Sequence, residues 1–253
     1  MMLGDTKVDV VRYLASHAPC VLLDPICAVP RVVQEGALPR DVALLIGIDA
    51  SGQDLDANGH YLSRLVPGFT ARRVRELGGT GVNLMVYLRS DYPGPLDRNL
   101  DIIRRCVADL AAEDLLLVVE FLTYRLPGES VEAYKAKTPA LIEGGSQLCL
   151  QLGAKVLKIP YPGTPKACAA VTKLSGKVPS SVLSAGVDHA AFVGQIAMAN
   201  GASGVIAGRS LWKDCVSLDR DRQRKLLQQK AVPRLRELLA ILARFPQPLA
   251  RRT

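Results

Sequence analysis

Seven short runs of aliphatic and β-branched residues recur along this 253-residue chain, at positions 20–24, 42–49, 82–89, 115–124, 156–160, 181–185 and 204–208. Each run is close to continuously apolar, where a strand with one wet face would alternate. Unbroken runs of this length suit parallel strands buried on both faces, and parallel strands need crossover connections. The stretches between most of them supply such connections with helical periodicity. Leu96, Leu100, Ile103, Val107 and Leu110 fall on one helical face. Another helix is predicted to start at Asp188, a good N-cap, and to end before Gly201, a residue type that often follows a helix. Repeated strand–helix units with right-handed crossovers predict an α/β fold.

Seven runs are one fewer than a (β/α)8 TIM barrel requires. Positions 6–17 read as a helix with Val8, Val11 and Leu14 on one face, so the chain opens inside a first helix with no strand ahead of it. The expected architecture is a (β/α)8 barrel lacking its first strand, as a single domain over 1–253. The length fits one such barrel, a 49% hydrophobic content supplies its core, and no linker or low-complexity stretch divides it. An unclosed barrel leaves two parallel edges without partners, which favours pairing with another chain; a homo-oligomer is expected.

Charge and composition exclude several classes of protein. Of the net +8, a balance of +7 lies from Asp219 onward, where ten basic and three acidic residues fall. That tail also places Leu235, Leu238, Leu239, Leu242 and Phe245 at helical spacing, predicting a basic C-terminal helix from about position 219 with a solvated charged face. No aromatic platform or recognition motif accompanies the charge, so a nucleic-acid partner is not expected. No apolar stretch reaches membrane-span length, and the first residues lack the pattern of a signal peptide. Six scattered cysteines without a Cys-x-x-Cys pair, and three distant histidines, offer no metal-ligand spacing. A cytoplasmic, reduced protein without metal or cofactor is expected.

Charged residues inside the apolar runs are the candidates for chemistry. Lys158 sits in Val156-Leu157-Lys158-Ile159-Pro160, where desolvation disfavours an ammonium. One reading has it snorkelling to water or paired with a carboxylate such as Glu120. The other is an amine that attacks a carbonyl to form a Schiff base. Glu120 ends Leu116-Leu117-Val118-Val119-Glu120, one strand earlier, and either pairs with a buried cation or carries protons. In an α/β barrel, groups at the C-terminal ends of neighbouring strands meet in one pocket. The last two runs end in Ser184-Ala185-Gly186-Val187-Asp188 and Ala207-Gly208-Arg209-Ser210. Glycines that let backbone N–H groups approach an anion, with an arginine beside them, suit phosphate binding after the last two strands of this fold. Ordinary turn glycines and a surface arginine are the plainer alternative.

These stretches resemble the class I aldolase family that contains tagatose-bisphosphate aldolase and sulfofructosephosphate aldolase. The similarity runs through Val21-Leu22-Leu23-Asp24-Pro25, Leu84-Met85-Val86-Tyr87-Leu88-Arg89-Ser90-Asp91, Val118-Val119-Glu120 and Val156-Leu157-Lys158-Ile159-Pro160. It continues through Leu183-Ser184-Ala185-Gly186-Val187 and Gly201-Ala202-Ser203-Gly204-Val205-Ile206-Ala207-Gly208-Arg209-Ser210-Leu211-Trp212, the last closer to the sulfofructosephosphate branch. The resemblance implies a (β/α)8 barrel, Lys158 as Schiff-base lysine, Glu120 as its acid–base partner, and a phosphate site at Ser184, Gly186, Gly208 and Arg209. It also implies a lysine at the position this chain fills with Asn83, and an upstream strand with an Asp-Gln-Arg segment. Arg89, at the end of the run containing Asn83, is a candidate contact for an anionic far end of the substrate, or else a surface ion-pair residue. The expected activity is metal-free cleavage of a phosphorylated ketose to dihydroxyacetone phosphate and an aldehyde. A non-catalytic sugar-phosphate-binding barrel is the alternative.

Overall fold

The computed structural model describes residues 3–92, 96–199 and 201–244. Its strands are β1 (Cys20–Leu23), β2 (Ala43–Gly47), β3 (Asp54–Leu55), β4 (Tyr61–Leu62), β5 (Gly81–Tyr87), β6 (Leu116–Leu122), β7 (Val156–Ile159), β8 (Ser180–Leu183) and β9 (Gly204–Ile206). Seven of them form one curled parallel sheet in the order β1-β2-β5-β6-β7-β8-β9, and β3 and β4 pair as a separate antiparallel hairpin. The seven strands coincide with the seven apolar runs, each ending one to two residues sooner, with β5 and β8 beginning one residue earlier than the runs. The barrel-like sheet is therefore one strand short, as expected, with β1 and β9 as its two edges among the described residues. The two-residue strands of the hairpin carry no periodic signal, which is why the sequence reading passed over them.

Ten α-helices accompany the strands: α1 (Leu3–Leu14), α2 (Ala28–Gln34), α3 (Ala71–Glu76), α4 (Leu96–Ala112), α5 (Val131–Gln151), α6 (Pro165–Ser175), α7 (His189–Met198), α8 (Arg209–Trp212), α9 (Arg220–Leu226) and α10 (Val232–Leu242), counted among the described residues. Capping fixes several of the starts. The Asp188 carboxylate accepts from Ala191 N–H at 2.8 Å at the head of α7, and Ser130 and Thr164 do the same for α5 and α6. In α10 the buried stripe is Val232, Leu235 and Leu238. Leu239, expected on that face, is instead exposed, because the stripe follows three-residue steps past it; Phe245 lies outside the described residues.

Register divides each strand into two faces. Met85 pairs with Glu120, Glu120 with Lys158, and Lys158 with Ser181, so these four share one face, and Gly47 shares it with Asn83. The opposite face carries Ile46, Leu84, Val119, Phe121 and Leu157, all without exposed surface, and these pack with the helices into the main core. Contact there is close. A Cβ on Gly145 of α5 would lie 2.5 Å from the Phe121 ring, so only glycine lets that helix sit on β6. Bulk is thus concentrated outside the sheet, while its inner face is left to polar, small and half-buried residues.

Helices far apart in sequence, α1 and α9, meet. Asp9 of α1 is completely buried and accepts from Arg220 at 2.9 and 3.1 Å, Arg224 at 3.3 Å and Gln223 at 3.1 Å. The basic tail is therefore partly committed inside the fold, since Arg234 also pairs with Asp214 at 2.9 Å. No helix among the described residues is long and apolar enough to cross a membrane.

Candidate active site

The inner face of the sheet gathers Asn83 of β5, Glu120 late in β6 and Lys158 late in β7. Lys158 Nζ donates to Glu120 Oε2 at 2.6 Å and to Asn83 Oδ1 at 3.4 Å. The Asn83 amide in turn donates to the same Glu120 oxygen at 3.0 Å. Both charged side chains are nearly enclosed, with 8% of Lys158 and 13% of Glu120 exposed. One carboxylate oxygen thus receives an ammonium and an amide together, which satisfies it in a setting where an isolated charge is costly.

Asp49, just beyond β2, is a further carboxylate at this site that sequence reasoning missed. Its Oδ1 accepts from Met85 N–H at 3.1 Å. Burial raises its pKa to about 6 and the Glu120 charge adds to the rise, against the Met85 hydrogen bond and Lys158. The signal was present, since Asp49 closes the apolar run 42–49 as a charged residue.

The two small-residue loops after β8 and β9 stand side by side. Ser184 Oγ accepts from Gly208 N–H at 3.5 Å, and Lys213 donates to the Gly186 carbonyl at 2.8 Å. The Arg209 guanidinium lies over Gly186, 3.2 Å from where a Cβ would stand. Gly186, at φ 76°, therefore provides both the left-handed turn and the clearance. Ala185 before it also takes a left-handed φ of 46°, a strained conformation for a residue with a Cβ. Ser184, Gly186, Gly208 and Arg209 are thus brought together, next along the sheet from Lys158.

Arg89 is placed elsewhere and otherwise than as a substrate contact. It is buried just beyond β5, with its Nε–H and one Nη2–H on Asp91 at 2.8 and 2.9 Å. The remaining donors go to Glu129 at 2.7 and 3.2 Å and to the Tyr124 carbonyl at 2.6 Å. All five guanidinium N–H groups are engaged, which leaves none for a ligand. Of the two expectations for Arg89, the ion-pair residue is the one its surroundings match, buried and not at the surface.

Aromatic rings crowd the same end of β5 and β6. Tyr61 from β4 stacks on Tyr124 with centroids 4.2 Å apart at 7°, and meets Tyr87 edge-on at 5.1 Å. Tyr87 donates to Gln53 Oε1 at 3.3 Å. Its phenol pKa is raised by burial, then by Tyr61, Asp49 and Glu120, so the rings adjoin the carboxylates.

A curled parallel sheet one strand short of a barrel, with a lysine against a carboxylate on its inner face and two glycine loops beside it, is the layout of a barrel-type aldolase fold. The chain belongs to the DeoC/LacD family of aldolases, whose pattern matches residues 2–214. It is 31% identical over 190 residues to a class 1 fructose-bisphosphate aldolase of Thermoproteus tenax, covering 72% of this chain and 68% of that protein. It is 28% identical over 243 residues to a tagatose 1,6-diphosphate aldolase of Listeria monocytogenes, covering 85% of this chain and 70% of that one. Among solved structures, a Schiff-base-forming fructose-1,6-bisphosphate aldolase shares the fold at a TM-score of 0.66 and 22% identity, over 93% of this chain and 82% of that one.

Proposed function

We propose that this protein is a Schiff-base aldolase that cleaves a phosphorylated ketose to dihydroxyacetone phosphate and an aldehyde. The observation that carries the reading is the 2.6 Å contact of Lys158 Nζ with Glu120 Oε2 inside the lumen, one strand from the Ser184 loop. The relatives named as tagatose- and fructose-bisphosphate aldolases support a ketose phosphate as substrate. Lys158 gives a proton to Glu120 and attacks the ketone carbon; loss of water leaves an iminium. Glu120 or Asp49 takes the proton of the hydroxyl two carbons from the iminium carbon. The carbon–carbon bond breaks, the aldehyde leaves, and the bond's electron pair enters the iminium as an enamine. Protonation of the enamine carbon and addition of water then release dihydroxyacetone phosphate and the free amine. Ser184, Gly186, Gly208 and Arg209 hold the phosphate throughout.

Reduction with borohydride in the presence of dihydroxyacetone phosphate, followed by peptide mass spectrometry, tests the reading. The expected result is an adduct on Lys158 that is absent from Lys158→Met. An unmodified Lys158 would sink it. One observation favours a second reading, a barrel that binds sugar phosphates without turnover: Asn83 stands where the family resemblance implies a lysine, and Lys158 is held by two partners. That reading predicts dihydroxyacetone phosphate binding, weakened by Arg209→Ala, with no adduct at any pH.

A further inference from the structure

Lys213, just after α8, is a cation at the glycine loops that stands outside the four phosphate residues the family resemblance implies. Its Nζ donates to the Gly186 carbonyl at 2.8 Å. Arg209, at the head of α8, lays its guanidinium on the same glycine. Two cationic heads thus meet at one residue of the turn, and neither has a carboxylate partner among the described residues. The acids nearest in sequence are engaged elsewhere. Asp214 pairs with Arg234 and Lys230, and Asp188 accepts from the Ala191 N–H at the start of α7. Like charges held together without a counter-ion repel one another, and an anion between them relieves the repulsion.

The turn beneath the two cations also suits an anion. Val187 N–H donates to the Ser184 carbonyl at 3.0 Å, with Ala185 and Gly186 both at positive φ, 46° and 76°. That is the pattern of a type I′ turn. The central N–H groups, those of Ala185 and Gly186, have no partner among the described residues. Successive unpaired N–H groups in a turn form an anion-binding concavity. The Lys213 ammonium uses one N–H on the Gly186 carbonyl and keeps two. A phosphate monoester carries a charge of about −2 at neutral pH, so Arg209 alone neutralises only half of it.

We propose that Lys213 is a second cationic ligand of the substrate's phosphate, acting with Arg209 on the Gly186 turn. The inference rests on the phosphate site of the reading above and is independent of the Schiff base.

Calorimetric titration of the full chain with dihydroxyacetone phosphate tests it, with Lys213→Met, Lys213→Gln and Lys213→Arg. Lys213 is exposed, so the three variants are expected to melt at the wild-type temperature. Glutamine keeps a donor for the Gly186 carbonyl and loses the charge. Methionine and glutamine are each expected to raise the Kd about tenfold, while arginine stays within about threefold of wild type. Binding by Lys213→Met is also expected to depend less steeply on salt. A lysine that only steadied the turn would be replaced by glutamine without loss, so wild-type affinity in Lys213→Gln overturns the proposal. Wild-type affinity in Lys213→Met overturns it as well. Arg209→Ala separates the two claims. If it weakens binding while Lys213→Met does not, this inference falls alone; if neither variant weakens binding, the phosphate site falls with it. Borohydride trapping on Lys158 bears on neither outcome.

Discussion

At Asp49, burial and the nearby Glu120 charge oppose ionisation and bring the carboxyl to about 6 from 3.8. A folded-state pKa above the unfolded one means the folded state binds the proton more tightly. The stabilising contribution is complete below pH 3.8 and is lost as pH rises through about 6. A shift of this size corresponds to on the order of 3 kcal/mol of strain at neutral pH. Asp49→Asn keeps the oxygen that accepts from Met85 and removes the charge. It should raise the unfolding free energy measured by urea denaturation near pH 7.5 by up to that amount and change it little near pH 4; an equal change at both pH values contradicts the assignment. Arg89 is the opposite kind of buried charge, fully neutralised, and it holds Glu129 down at about 2. Stability from that carboxylate is present above 4.5 and lost as pH falls toward 2. Arg89→Met strands Asp91 and Glu129 and should cost about 3–5 kcal/mol by denaturant unfolding. A variant of normal stability but raised KM would return Arg89 to substrate binding. Lys158 and Glu120 were legible because a charge inside an apolar run has few uses. Arg89 was ambiguous because Glu129, its counter-charge 40 positions away, is visible only once the chain has folded.

Each strand presents two unlike faces to two unlike neighbours. Its outer residues meet helices, and α5 approaches β6 so closely that Gly145 touches the Phe121 ring. Gly145→Ala gains helix propensity of about 1 kcal/mol and loses more by overpacking, for a net destabilisation of roughly 1–2 kcal/mol. Thermal unfolding of that variant checks the figure, and a raised melting temperature would show that Phe121 moves aside freely. The strands were readable because both faces are largely screened from water, so their apolar runs are long. Helix starts were readable where a cap exists, as at Asp188. The β3–β4 hairpin was not, because four paired residues define no period, yet it delivers Tyr61 to the aromatic wall. That wall was invisible in the sequence for the same reason: Tyr61, Tyr87 and Tyr124 are far apart until the sheet stacks them.

At the scale of the molecule, β1 and β9 are the sheet's two edges among the described residues, and Asp9 on α1 ties to Arg220, Gln223 and Arg224 on α9. The missing eighth strand was legible from a count of apolar runs. The tie was not, since nothing local links a carboxylate near the start to arginines near the end. Asp9→Ala removes the carboxylate these donors share and should cost about 3 kcal/mol. Its partners are 211 and 215 positions away, so the contact forms only after nearly all the intervening chain is ordered. Interactions absent from the transition state leave the folding rate alone and set the unfolding rate. In stopped-flow measurements Asp9→Ala should fold at close to the wild-type rate and unfold roughly a hundredfold faster. Slowed folding would place the contact in the nucleus instead. The junction of α1 with α9 then works as a latch that closes last and opens first, and the lifetime of the folded protein, more than its speed of assembly, depends on it.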